Sequence, residues 1–350
     1  MMRLLVSIFI LWIVPFLGYS EALDDFLFTV QCDELEAGSG FILHDQGESW
    51  LVSNCHVVEG DKKVVFVGMV DDSNSFDLPE KIQVASNRDA VRFSVDTPDG
   101  FSLARDCSFD EEVFAFGNSD GKGIVTKSEG KIVGKGRGKI EVTCEIIPGN
   151  SGGPVINITN EVIGLSTFII VAPEEKNSDN SQWLRKFTMI KGTRYEGTRR
   201  FAIPLHDAKW QEVDLSTFQK ESVEAKNVID QCEKFYGIIS SISYKYPIHE
   251  GDGSIISRSW IRNYNRKLRK YGYWDGKSRY IIRSSKFDSF IRTLENWLED
   301  LSEAALKLSE SVQEESEKLT VKYYQEKLLE QVNDLEDAAR LLEESAADQR

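Results

Sequence analysis

The sequence predicts a mainly β domain followed by a helical module, and two observations carry that expectation. Residues 25–205 hold short β-branched and aromatic runs between Gly, Asn and Asp turns, a pattern of antiparallel barrels or sandwiches rather than βαβ units. Near residue 212 the apolar period changes to the i, i+3, i+4 spacing of helices. A chain of 350 residues with 41% apolar content has room for two or three globular domains. The expected division is a signal peptide over 1–20, a β domain over 21–210 and a helical, partly coiled-coil-like module over 211–350.

At the amino terminus Arg3 precedes the apolar run Leu4–Leu17, and Gly18-Tyr19-Ser20 offers a small-x-small cleavage site. The run is short for a membrane span and contains Pro15, so it reads as a secretory signal and the protein as exported, periplasmic or secreted. A formal charge of −15 gives no overall basis for nucleic-acid binding. The cysteines are Cys32, Cys55, Cys107, Cys144 and Cys232, an odd count that leaves at least one thiol unpaired. Cys32 and Cys55 flank an expected hairpin and could meet, whereas Cys232 fits the apolar side of a helix. No CxxC or His/Cys cluster suggests a metal site, and no cofactor is implied.

The strand-like runs are Phe26–Cys32, Ser39–Leu43, Lys63–Val70, Ala90–Ser94, Glu112–Phe116, Ile140–Cys144, Val162–Ile170 and Phe201–Ile203. Three of their ends carry chemistry. His56 follows the apolar run Leu51-Val52, and Asp89 opens Asp89-Ala90-Val91-Arg92-Phe93. Ser151 stands in Gly149-Asn150-Ser151-Gly152-Gly153-Pro154. A serine hydroxyl needs a base to take its proton and donors to hold an oxyanion. Glycines around Ser151 leave the backbone free to bring the N–H groups of Gly149, Asn150 and Ser151 toward a substrate carbonyl. A Gly-rich turn, a strand-end histidine and a turn aspartate are each ordinary alone. Their order, and their shared position at strand ends, points to a base, an orienting carboxylate and a nucleophile.

Gly149–Pro154 together with Asn54-Cys55-His56-Val57-Val58 resembles the trypsin-like serine peptidases, in particular their HtrA/Deg branch. Phe116-Gly117-Asn118-Ser119 and Phe201-Ala202-Ile203-Pro204 match two further stretches of that branch, so the likeness covers roughly residues 25–210. The resemblance implies a trypsin-like double antiparallel β-barrel, with His56 as base, Asp89 as orienting carboxylate and Ser151 as nucleophile. It also implies peptide-bond hydrolysis of unfolded or damaged proteins through an acyl-enzyme, without metal or cofactor. Glu145, six residues before Ser151, stands where some trypsin-like enzymes place the acid that selects basic side chains. Ile146 beside it favours the apolar pocket usual for HtrA-like proteins. Ser166, Thr167 and Phe168 would belong to an edge that pairs with an extended substrate. A catalytically silent trypsin-fold scaffold is the rival reading. The polar insertion over 172–198 is expected to border the cleft and gate it.

Beyond 211, Ser216 with Gln219 resembles a capping box. Phe218, Ala225, Ile229, Cys232, Tyr236 and Ile239 then mark one helix. A second is expected through Phe287, Ile291, Leu294, Leu298, Leu301, Ala305, Leu308 and Val312, and a third through Leu328, Val332, Leu335, Ala339 and Leu342. These seams suggest a helical hairpin or coiled coil, with homo-oligomer or partner-helix contacts over 287–346. Residues 287–350 hold 17 acidic and 7 basic side chains, the mark of a solvated helix face. Between the helices, basic residues from Arg258 to Lys270 alternate with Trp260, Tyr264 and Tyr271, a segment suited to anionic lipid headgroups or the acidic helices rather than nucleic acid. No PDZ-like loop or strand series is legible after 212, where the family commonly carries one.

Overall fold

A computed structural model describes residues 21–33, 35–136, 138–171, 198–240, 242–243, 248–249, 260–261, 269–274 and 280–347. The expected signal segment, nearly all of the 172–198 insertion and most of the basic-aromatic segment 258–270 lie outside the described residues.

The first half of the β domain comprises β1 (Leu27–Cys32), β2 (Leu35–Asp45), β3 (Glu48–Ser53), β4 (Val64–Gly68), β5 (Ser75–Asp77), β6 (Lys81–Ala85) and β7 (Val91–Ser94). A one-turn helix, α1 (Cys55–Val58), follows β3. The second half contains β8 (Phe101–Leu103), β9 (Glu112–Asn118), β10 (Val125–Gly136), β11 (Lys139–Val142), β12 (Pro154–Asn157), β13 (Glu161–Val171) and β14 (Thr198–Ile203). In that half β9, β10, β11, β14, β13 and β12 pair in a closed antiparallel ring, sealed by β12–β9 and β12–β13. Its interior is filled by small and branched residues such as Val113, Ile132, Ile140, Cys144, Val155 and Ala202. The halves are stitched by β8, which lies parallel to both β2 and β13.

The first half runs β5–β4–β1–β2–β3–β7–β6 and continues into β15 (Trp210–Asp214), which pairs with β6. Among the described residues no strand pairing joins its two ends. Its core is instead continuous with helices. Phe28, Ile42, Leu51, Val57, Phe66 and Phe93 share one apolar cluster with Phe218, Cys232, Tyr324 and Leu335. The compositional change at residue 212 therefore falls inside a strand of the β domain.

Among the described residues three α-helices follow: α2 (Leu215–Ser240), α3 (Phe287–Lys318) and α4 (Lys322–Ala347). Helices α3 and α4 form a hairpin, and α2 packs against it. The expected face of α2 is largely correct, with Phe218, Ala225, Cys232, Tyr236 and Ile239 buried and Ile229 partly so. The capping box is not formed. Ser216 lies inside the first turn, and the Gln219 amide donates to Lys62 O at 3.1 Å. The buried stripe of α3 keeps Leu294, Leu298, Ala305 and Val312 of the expected one and takes in serines beside them. It runs Phe290, Leu294, Leu298, Ser302, Ala305, Ser309, Val312 and Ser316, while Phe287, Ile291, Leu301 and Leu308 are only partly covered. Small serines admit close approach of α4, and Ser302 Oγ donates to Ala339 O at 2.9 Å. The seam is thus filled within the chain. No helix among the described residues is long and apolar enough to cross a membrane.

The start of α4 is capped from another helix. Glu221 of α2, 6% exposed, accepts from Thr320 N, Thr320 Oγ1 and Val321 N at 2.7–2.9 Å. A carboxylate at a helix N-terminus satisfies orphan N–H groups and complements the macrodipole. Glu221→Ala should cost about 2–4 kcal/mol, since it removes charged hydrogen bonds and strands buried donors. Denaturant unfolding beside the exposed control Glu224→Ala checks this; equal midpoints for the two variants would refute it.

The five cysteines are reduced and buried. Cys32 and Cys55, which the sequence left free to meet, do not bridge. Cys32 Sγ donates to Val57 O at 3.4 Å, while Cys55 is enclosed at the start of α1.

Candidate active site

His56 is set by α1, which turns directly out of β3 through the extended residue Asn54. Asp89 sits in the β6–β7 turn, where Ala85 and Ala90 close the backbone and the Arg88 guanidinium is tied to Pro204 O and Asp207. The Asn54 amide donates to Asp89 O at 2.5 Å, locking the two segments together. The structure brings both side chains into contact: Asp89 Oδ2 lies 2.5 Å from His56 Nδ1, and Asp89 Oδ1 accepts from His56 N at 3.1 Å.

Ser151 comes from the β11–β12 loop of the closed ring. Its Oγ donates to Thr167 O at 3.4 Å, while Thr167 Oγ1 donates to Asp89 Oδ2 at 3.3 Å. Thr167, expected only as substrate edge, is therefore the residue on which the serine and the carboxylate converge. Among the described residues the hydrogen bond of Ser151 Oγ is this long one to Thr167 O.

The loop before Ser151 is fixed from outside. Pro148 O accepts from Asp120 N at 2.8 Å, and Gly149 O accepts from Ser39 Oγ at 2.8 Å. With both carbonyls held away, Gly149 takes φ +95°, and neither Gly149 N nor Ser151 N donates to another group among the described residues. Asn150 corrects the expectation. Its N–H closes a turn onto Ile147 O at 3.1 Å, and its Oδ1 accepts from Ser119 Oγ at 2.8 Å, so it braces the loop instead of facing the oxyanion.

The remaining positions are dispersed. Glu145 is exposed, with its N–H bonded to Ser128 Oγ. Ile146 is 2% exposed and packs in the interior of the closed ring rather than lining a pocket. Ser166 is buried, its backbone paired to Gly152 and Gly153. Phe168 is described through its backbone, which pairs with Phe201. Among the described residues no cluster of His, Cys, Asp or Glu could hold a metal ion.

Burial works against the charged form of His56, but the hydrogen bond and charge of Asp89, with Glu59 behind it, outweigh this and raise its pKa above 6.5. Burial would raise Asp89, yet its bonds to His56 pull it down to about 2. A base must be neutral to accept a proton, so with His56 as the expected base kcat/KM should rise with pH through a midpoint above 6.5. Asp89→Asn should move that midpoint down. A pH–rate profile with its acid limb at or below 6.5 would contradict the pairing. For stability the signs differ: the His56 contribution is full below 6.5 and fades as pH rises through its folded value. The Asp89 contribution is full above 3.8 and is lost as pH falls toward about 2.

Residues 38–165 match the family described as trypsin-like peptidase domain. This part of the chain is similar to trypsin-like peptidase domains of HtrA/Deg-type proteins. Protease Do-like 1, chloroplastic, of Arabidopsis thaliana is 28% identical over 152 residues, covering 38% of this chain and 33% of that protein. A DegP-like periplasmic serine endoprotease of Rickettsia prowazekii (strain Madrid E) is 30% identical over 148 residues, covering 38% and 28%. The crystal structure of the serine endoprotease from Yersinia pestis covers 52% of this chain and 59% of that one, at 20% identity and a TM-score of 0.36. The chain spans about a third of the length of the curated relatives it matches. The match to the trypsin-like peptidase family ends at residue 165, so β14, β15 and helices α2, α3 and α4 lie beyond it.

Proposed function

We propose that the protein is an exported serine endopeptidase that hydrolyses peptide bonds of unfolded or damaged polypeptides through an acyl-enzyme on Ser151. The observation that carries this reading is the convergence of Ser151 and Asp89 on Thr167, with His56 held against the same carboxylate.

The Ser151 O–H turns from Thr167 O to His56 Nε2, which takes its proton as Oγ attacks the scissile carbonyl. Asp89 Oδ2 holds the Nδ1–H tautomer and balances the imidazolium. The oxyanion lies against Gly149 N and Ser151 N. Collapse expels the amine with the proton from His56, and water then repeats the sequence to free the acid and Ser151. Where β13 outruns β12, past the pairing of Pro154 with Leu165, its backbone offers an edge to an extended peptide. The exposure of Glu145 favours an apolar over a basic specificity pocket. Export is supported by the amino-terminal sequence and by the periplasmic relative.

The test is labelling of residues 21–350 by a fluorophosphonate probe, together with digestion of unfolded casein. Both should occur in the wild type and vanish in Ser151→Ala. A well-folded wild type that neither labels nor digests would favour the silent-scaffold reading, to which the long hydrogen bond of Ser151 Oγ to Thr167 O lends its one support.

A further inference from the structure

The catalytic half of the site that holds charge is closed from behind by the carboxy-terminal hairpin. Tyr323, in the first turn of α4, is 5% exposed and shares a contiguous core with Cys55, Val57 and Val58 of α1. Its hydroxyl is buried and makes no hydrogen bond of full geometry, yet it lies near enough to the Asp89 carboxylate for the two to act as hydrogen-bond neighbours. The Asp89 carboxylate, for its part, accepts from His56 N, His56 Nδ1 and Thr167 Oγ1. Two carboxylate oxygens offer about four acceptor positions, so one remains. Burial first, and then the charge of Asp89 ahead of Cys55 and Tyr324, keep the Tyr323 phenol protonated and able to donate. The ring is fixed by Tyr324, 5.1 Å away between centroids, and by Lys327, whose ammonium stands 4.6 Å over it. The Glu221 clamp on Thr320 and Val321 sets the start of this same helix.

We propose that Tyr323 is a positioning residue for Asp89, its phenol donating the remaining hydrogen bond to the carboxylate, so that the helical hairpin completes the site. This rests on reading Ser151, His56 and Asp89 as a triad. The charged and titratable groups that act on the His56–Asp89 pair are Cys55 of α1, Glu59 just beyond it, and Lys327, Tyr323 and Tyr324 of α4. Glu59 raises the imidazole pKa and Lys327 lowers it. A phenol donor spreads the carboxylate charge away from the imidazolium. Its loss concentrates that charge on His56.

The experiment is an NMR titration of the His56 ring in the full chain, with the signal assigned by His56→Gln. Tyr323→Phe keeps the ring and removes only the donor; it should raise the His56 midpoint by roughly half a pH unit to one. The acid limb of kcat/KM should follow, with thermal unfolding nearly unchanged. Incorporation of 3-fluorotyrosine at position 323, a stronger donor of similar shape, should move the midpoint the other way. Tyr324→Phe is the control, because that hydroxyl is also buried without a hydrogen bond of full geometry, but Cys55 and Glu59 act on it ahead of Asp89. An unmoved His56 midpoint in Tyr323→Phe would overturn the proposal. Equal displacement by Tyr324→Phe would overturn it as well. The titration needs no turnover. Absent Ser151-dependent labelling would sink the peptidase reading while the titration still decided whether Tyr323 serves Asp89.

Discussion

Ser151→Ala is expected to lower kcat/KM on unfolded casein by on the order of 10⁶, with His56→Ala costing nearly as much and the double variant little more. The reason is that nucleophile and base act as one unit. Without a base, the Ser151 proton has only the weak 3.4 Å contact with Thr167 O, a carbonyl that cannot take it away. Without the serine, His56 has nothing to deprotonate except water. Asp89→Asn should fall short of either loss, because it changes the tautomer and charge balance of a base that is still present. Steady-state digestion by the four variants measures this. Additive single losses, or a Ser151→Ala enzyme within tenfold of wild type, would mean that the chemistry lies elsewhere.

Gly149→Ala should lower kcat by about 10²–10³, the usual cost of one oxyanion donor. Gly149 takes φ +95°, where a side chain is strained, and an added Cβ would lie 1.9 Å from Asn118 O. That oxygen is backbone at the end of β9 and cannot swing aside as a flexible side chain would. The peptide must therefore rotate, and its N–H leaves the position that Asp120 N and Ser39 Oγ secure through the two neighbouring carbonyls. The rate should fall while KM changes little, because the donor is needed most once the oxyanion forms. Retained kcat in Gly149→Ala would remove Gly149 N from the mechanism. Ser39→Ala offers a milder form of the same test, releasing the carbonyl without adding bulk.

Legibility in the sequence followed the range of the interactions concerned. The runs for β1, β4, β9 and β13 could be read because their side chains bury in an apolar pattern. β10 could not, since Val125–Gly136 is rich in Lys, Gly and Glu and buries only Ile132; it is held by backbone pairing to β9 and β11. On α3 the longest apolar residues suggested one stripe, and close packing kept part of it while taking in serines that meet α4. Thr167 was legible as a residue near the cleft, not as the bridge between Ser151 and Asp89. Tyr323 carried no local signal at all, because its relation to Asp89 exists only once α4 is docked behind α1.

The sequence by itself determined the residues on which the proposed chemistry rests, namely a serine among glycines and a histidine and an aspartate at strand ends, and it determined the switch from β to helical periodicity. These are local properties, written in residue type and spacing. Only the tertiary structure decided that Asn150 braces the oxyanion loop, that Cys32 and Cys55 stay apart, and that helices finish the core of the first β half. Each of those depends on groups far apart along the chain, whose meeting is set by packing and hydrogen-bond satisfaction rather than by propensity.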